Sequence, residues 1–370
     1  MKVQLRKPFF PQQSILNIQK KIKNVLKSGQ LTLGENVKLF EKDFAKFLNI
    51  KYAVAVSSAT AGLHLSLLSL GIKNDDEVIV PAKTFISTAN AALYCNAKPI
   101  FCDVNEDTFQ LEPSVLEGLI TNKTKVVIPV HLGGNICDMK KIQKIAKKND
   151  LIVIEDAAHA HGSTLDGKMA GTFGKAGVFS FYPDKIMASS DGGIIVTNNH
   201  SMFEKLLLLR NVGRKEIGKY DYTEIGYNYR MNEVQAILAQ EQLKLLPKIL
   251  KKRRDIAKKY NSELKENSIL QNQKIFSNVN SGYYAYIMKI TNGKLNQLRK
   301  KLLEKGIETS PMFQTIYKTT IYKKLLGKIK NICPISEKLD KQTFTIPLHP
   351  SLSNKQVNYV IDQIKKNTED

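Results

Sequence analysis

Residues 151–198, LIVIEDAAHAHGSTLDGKMAGTFGKAGVFSFYPDKIMASSDGGIIVTN, contain three short apolar runs, LIVIED, GVFSFY and GGIIVTN. Each is too short, and too rich in β-branched or aromatic residues, to be a helix, so each predicts a buried strand. Working outward, KYAVAV (51–56), DEVIVPA (76–82), KPIFCDV (98–104) and KVVIPVHL (125–132) add four more, seven in all. Helix patterns fall between them: SSATAGLHLSLLSLG closed by Gly71, STANAALYCNA, PSVLEGLI and MKKIQKIAKKN. Near-continuous apolar strands separated by helices predict an α/β fold, with a mostly parallel seven-stranded sheet covered on both faces. Residues 201–265 read as long helices. From about residue 275 the pattern changes to strand YYAYIMKI, helix LNQLRKKLLEKG, strand TFTIPL and terminal helix NKQVNYVIDQIKKN, a small α+β domain. The expected division is a large domain over 1–245, its residues 1–30 partly associated with the small domain, and a small domain over 246–370.

The chain has 370 residues, 42% of them apolar, enough for two buried cores. No apolar run approaches the roughly 18–20 residues of a membrane span. The opening MKVQLRKPFFPQQS lacks the apolar stretch and cleavage site of a secretory signal, so a cytoplasmic location without membrane contact is expected. Cys95, Cys102, Cys137 and Cys333 show no CxxC spacing and no histidines set around them as zinc ligands. They read as buried reduced thiols, and no metal site is expected. The formal charge is +22, yet only seven of the 56 basic residues are arginine. That is a lysine bias spread over solvated faces. Nucleic-acid binding calls for arginine and a basic stripe interleaved with aromatics, so nucleic acid is not an expected partner. A positive field favours anionic small molecules.

Ligands of such a sheet bind beyond the carboxyl ends of its strands, so the residues just after each strand carry the chemistry. Asp156, closing LIVIED, could cap a helix or hold a proton on a heteroaromatic nitrogen. His159 lies three residues after it and His161 two further; a His there could be structural, or one within a turn of Asp156 could stack on or hydrogen-bond a ring cofactor. Lys185 follows Pro183 and Asp184 and precedes the small residues ASSDGG. It could be an ordinary loop lysine, or a recessed one that loses its proton and forms a Schiff base. SSATA (57–61) joins a strand to a helix, and is either a capped helix start or a phosphate site of backbone N–H groups and hydroxyls. Phe85, after DEVIVPA and Thr84, either packs in the core or stacks on a flat ring.

The string EDAAHAHGSTLDGKMAGTFGKAGVFSFYPDKIMASSDGGIIVTNN resembles the signature of the DegT/StrS-type sugar-nucleotide aminotransferases, fold-type I pyridoxal-phosphate (PLP) enzymes related to aspartate aminotransferase. The resemblance extends over more than 300 residues. It takes in SGQLTLGENVKLFEKDFAKFL, AVAVSSATAGLHLSLLSLGI, PAKTFISTANAALYCNAKPIFCDV, IPVHLGGN, EIGYNYRMNEVQAILAQEQL and TIPLHPSLSNKQVNYVIDQI. It implies that Lys185 carries PLP as a Schiff base and shuttles a proton, with Asp156 paired to the ring nitrogen. Phe85 would stack on one ring face, with His159 near the phenolic oxygen or the other face. Ala59, Thr60 and Ser180 would bind the phosphate. Asn228 would reach the PLP phosphate of a neighbouring subunit in a homodimer with composite sites, with Arg230 nearby. Thr32, in TLG at 32–34, would border the sugar pocket with Tyr182 and Phe313. The sequence departs from the family at several positions: His159 stands where many relatives carry Gln, and Ala59 where many carry Gly. ETSPMFQTIYKTTIYKKLLG lacks the His of a PLHLQP-like segment, and RNVG replaces RNHG or RSHG.

The implied function is transfer of an amino group from L-glutamate to a nucleotide-linked keto-6-deoxyhexose, at carbon 4 rather than carbon 3, for amino-sugar biosynthesis. A sugar 3-dehydratase of the same fold would carry His in place of Lys185. An aminotransferase acting on a non-nucleotide cyclic ketone is the alternative on the substrate side, and a non-catalytic regulator is favoured by the charge alone.

Overall fold

The strand Ala176–Ser180 sets the layers, because alternate side chains of a strand point to opposite faces. Val178 joins Val54, Val56, Ile195 and the helix Ala59–Ser69 on one face. Phe179 and the following Phe181 join Phe40 and Phe44 of the helix Glu35–Leu48 on the other, with edge-to-face ring contacts. The computed structural model describes residues 1–214, 220–327 and 332–368.

The seven expected strands form one sheet. Its order across the sheet is Tyr52–Val56, Gly193–Thr197, Ala176–Ser180, Ile152–Asp156, Thr124–Val127, Glu77–Pro81 and Lys98–Cys102. Six strands share one direction, and Gly193–Thr197 runs against both neighbours. Its connection from Ser180, residues 181–192, contains no helix, so there is no crossover and the chain returns antiparallel. That return segment contains Lys185. The strand in KVVIPVHL stops at Val127, and PSVLEGLI makes a short helix, Pro113–Leu116, running into a 3₁₀ turn, Glu117–Leu119.

A second sheet of four strands, in the order Leu270–Asn272, Tyr286–Ile290, Thr343–Ile346 and Ser310–Pro311, packs with the helix Asn354–Lys366 around its own core. Among the described residues, the expected helical region at 201–265 holds two helices, His200–Arg210 and Glu233–Glu263. The second begins at an Asn232–Gln235 capping box, and its residues enter both cores, Ala236 and Leu246 in one, Ala257 and Tyr260 in the other. Position 245/246 therefore lies inside a helix rather than in a linker. The first residues attach to the second layer: Val3 exchanges backbone bonds with Gly306 and Glu308, and Leu348 N–H donates to Leu5 O. Paired two-residue strands at 164–165, 168–169 and 279–280 have no periodicity a sequence could show. Among the described residues no helix is long and apolar enough to cross a membrane. All four cysteines are buried and free.

Candidate active site

Because six strands run the same way, their carboxyl ends gather on one edge, and a cavity of about 400 Å³ opens there. Each wall residue has a local reason to be present. The strand Tyr52–Val56 leads into the helix Ala59–Ser69, with Ser58 as N-cap, its Oγ accepting from Ala61 N–H at 3.1 Å. Ser58, Ala59 and Thr60 line the cavity, so the positive end of that helix faces it. Thr60 Oγ1 lies 2.8 Å from Ser87 Oγ. Gly193 permits this packing: a Cβ there would stand 2.5 Å from the backbone nitrogen of Ala59.

Asp156 ends its strand with its carboxylate buried. Thr88 Oγ1 donates to Oδ2 at 2.8 Å and Ala158 N–H to Oδ1 at 3.2 Å. Burial raises its pKa above the usual carboxylate value, against the opposing pull of those two donors and of Lys185. Among the described residues no cation lies within ion-pair distance of it. The neighbouring Glu155 faces elsewhere. It accepts from Gly171, Phe173 and Gly174 N–H groups and pairs with His131, fixing the loop behind the strand.

Lys185 reaches the cavity from the return segment, its amine 4.6 Å from the centroid of the Tyr284 ring and 3.8 Å from Asp184 Oδ1. Burial, assisted by the positive Arg6, lowers its pKa to about 8. Tyr284 Oη donates to Asp184 Oδ2 at 2.9 Å, and the Arg6 guanidinium pairs with the same oxygen while lying over the Tyr284 ring. Tyr284 is held in turn by the buried Arg253, which donates to the carbonyls of Tyr283, Tyr284 and Leu348. His159 stacks on Tyr284 at 3.9 Å and 19° and lies nearly parallel to Phe313. Burial and then Lys185 push its pKa well below the usual histidine value, so its ring is neutral. Gly133 N–H points at Nδ1, which assigns the ring proton to Nε2.

Nine of the residues singled out from the sequence meet in this cavity: Ala59, Thr60, Phe85, Asp156, His159, Ser180, Tyr182, Lys185 and Phe313. Thr32, Asn228 and Arg230 do not line it. Thr32 is exposed and pairs with Asn232; Asn228 is exposed and pairs with Asn211; Arg230 donates to Asn211 Oδ1 at 2.9 Å. Sequence reasoning missed Arg6, Thr88, Asp184, Asp191 and Tyr284. Arg6 comes from the far end of the chain, and Tyr284 sits in a run that reads as an ordinary core strand, so neither carries a local signal. Thr88, in the first turn of the helix Ser87–Tyr94 that follows Thr84, was within reach as a second hydroxyl near the same strand end. His161 lies behind His159 between Phe179 and Phe181, and burial lowers its pKa to about 3. It is a core residue.

The family model of the DegT/DnrJ/EryC1/StrS aminotransferases matches residues 13–365. The chain is 38% identical to the GDP-perosamine synthase of Escherichia coli O157:H7 over 90% of both chains. It is 34% identical to the UDP-4-amino-4,6-dideoxy-N-acetyl-β-L-altrosamine transaminase of Campylobacter jejuni, over 92% of this chain and 91% of that one. The PLP-form of Spr1654 from Streptococcus pneumoniae superposes with a TM-score of 0.94 at 28% identity, covering 100% of this chain and 99% of that chain.

Proposed function

The chain belongs to the DegT/DnrJ/EryC1/StrS aminotransferase family, and from that premise we propose that it moves the amino group of L-glutamate to a nucleotide-linked 4-keto-6-deoxyhexose in amino-sugar biosynthesis. It is an aminotransferase, and its cofactor is PLP. One observation carries the site assignment: Lys185 and Asp156 line a single cavity, each shifted by burial toward its neutral form. A flat group offering a carbonyl carbon to the amine and a ring N–H to the carboxylate relieves both, so the residues present fit the cofactor.

Bound there, PLP supplies the electron sink that lets an amino group pass between an amino acid and a ketone. The rest falls to this chain's side chains. Lys185, its pKa lowered to about 8, presents an appreciable fraction of free amine near neutral pH, able to attach the cofactor and to move a proton at Nζ. Asp156, oriented by Thr88, would hold the proton on the ring nitrogen. Phe85 and the neutral His159 would sandwich the ring, and Ala59, Thr60 and Ser180 would take its phosphate at the helix N-terminus. Tyr182 and Phe313, at the outer wall, would meet the sugar. Asn228, exposed and outside this chain's own cavity, would reach the phosphate in a neighbouring subunit's cavity, with the partly buried Arg230 near it, and Thr32 would border the sugar.

The names of these relatives support an amino-sugar product, the Campylobacter one with nitrogen at carbon 4. The +22 charge supports capture of a diphosphate. The test is a panel of GDP-, UDP- and dTDP-linked 4-keto and 3-keto-6-deoxyhexoses offered to the protein loaded with pyridoxamine phosphate. Turnover of a 4-keto compound, absent in Lys185→Ala, is expected. Rejection of every nucleotide-linked sugar, with amination of a free cyclic ketone, would overturn it.

A further inference from the structure

We propose that Lys83 is a positioning residue that fixes Phe313 over the cavity and thereby sets the fit of the amino acceptor, a role resting on the reading of this cavity as the acceptor's site. Lysines elsewhere on this chain sit mostly on the surface, whereas Lys83 is 1% exposed. It lies in the turn after the strand Glu77–Pro81, one residue before Thr84 and two before Phe85, which are in the cavity wall. Its amine donates to Asp340 Oδ1 at 2.8 Å and to the carbonyl of Phe313 at 2.7 Å. Asp340, the last residue of the helix Pro334–Asp340, also accepts the N–H of Thr315 with both oxygens, at 3.0 and 3.1 Å. Beside them Ile316 N–H donates to Ala82 O at 2.8 Å. The segment around Phe313 is thus fastened to the turn that carries Phe85.

What is fastened is strained. Phe313 has φ of +40°, in the left-handed region where a side chain with a Cβ is disfavoured. In that conformation its ring lies 5.8 Å from His159 at 15° and 5.9 Å from Phe85. The desolvated ammonium on the Phe313 carbonyl is a charge-assisted bond strong enough to offset such strain. Without it the backbone relaxes to negative φ, and the ring leaves the wall. Lys83 itself does not line the cavity, so its effect passes through Phe313.

The test uses full-length Lys83→Met and, because that change strands the Asp340 carboxylate, also Lys83→Met with Asp340→Leu, which removes both charges together. Two readouts are taken. In the cofactor-free protein, amide hydrogen exchange of the peptide spanning 309–318 should speed up in both variants while the central strands stay protected. In the loaded enzyme, the glutamate half-reaction, followed by the cofactor's visible absorbance, should keep its rate. KM for the panel ketosugar that the wild type turns over best should rise on the order of tenfold. Unchanged exchange at 309–318, or a parallel fall in both half-reactions, overturns the proposal. If the wild type aminates no nucleotide-linked sugar, the substrate reading fails separately, and exchange together with the glutamate half-reaction still judges the clamp.

Discussion

Lys185 lowers the stability of the cofactor-free protein in a way that pH reveals. Its pKa is about 8 in the folded state against an unperturbed 10.5. Below pH 8 both folded and unfolded chains hold the proton, and the full penalty of burying an ammonium is present. Between pH 8 and 10.5 the unfolded chain binds more protons than the folded one, so stability rises with pH; above 10.5 the penalty is gone. Lys185→Met lacks this dependence. The wild-type deficit relative to that variant should therefore shrink by about 3 kcal/mol across the window, read by urea unfolding of both proteins without cofactor. A deficit constant with pH would mean that the amine is solvated, and the basis for its reactivity would be lost. Asp156 opposes it in sign, a carboxylate that burial makes harder to ionise, and both shifts arise in the same hollow.

The helix Ala59–Ser69 can aim its N-terminus at the cavity only because it lies close against the sheet. Gly62 makes that possible: a Cβ at this position would stand 2.7 Å from Val178 Cγ1, and Val178 is fully buried with no room to retreat. Gly62→Ala should destabilise the protein by about 1–3 kcal/mol through overpacking. It should also lift the first turn, where Ala59 and Thr60 stand, and so weaken cofactor retention more than a comparable insult elsewhere in the core. Dialysis release of PLP, measured beside thermal unfolding, checks both effects. Loss of stability with unaltered release would mean that the helix start does not hold the phosphate.

In the molecule as a whole, two layers meet at the cavity, and a third contribution is expected from a second copy. Asn228 is exposed and outside its own chain's cavity, whereas Lys185 is inside it. If Asn228 serves the neighbouring subunit, mixing inactive Lys185→Ala with inactive Asn228→Ala chains should restore part of the activity. Hybrid dimers carry one site with both native residues, about a quarter of the wild-type activity for random exchange. Activity in a monomeric fraction, or no rescue after verified subunit exchange, would rule the composite site out.

Seven apolar runs of strand length, spaced by helix patterns, were sufficient for the seven-stranded sheet, because burial on both faces leaves an uninterrupted hydrophobic signature that needs no partner to be recognised. Asp156, Lys185, Ala59 and Phe85 were legible for a related reason: the carboxyl end of a strand is a place along the chain as well as in space. Arg6, Tyr284 and Lys83 were not. Arg6 meets Asp184 across 178 residues and Lys83 meets Asp340 across 257. Until the chain folds, a buried lysine and a surface lysine have the same surroundings in sequence. The pairing of 279–280 with 164–165 and the +40° backbone of Phe313 belong to the same class, since they exist only where distant segments supply the hydrogen bonds. The sequence by itself determined the seven strands of the main sheet, the long helices and which polar side chains stand at the strand ends, because those follow from local pattern and composition. Only the tertiary structure decided which side chains desolvate one another around the cavity, because burial and charge proximity are properties of the packed molecule and not of any stretch of the chain.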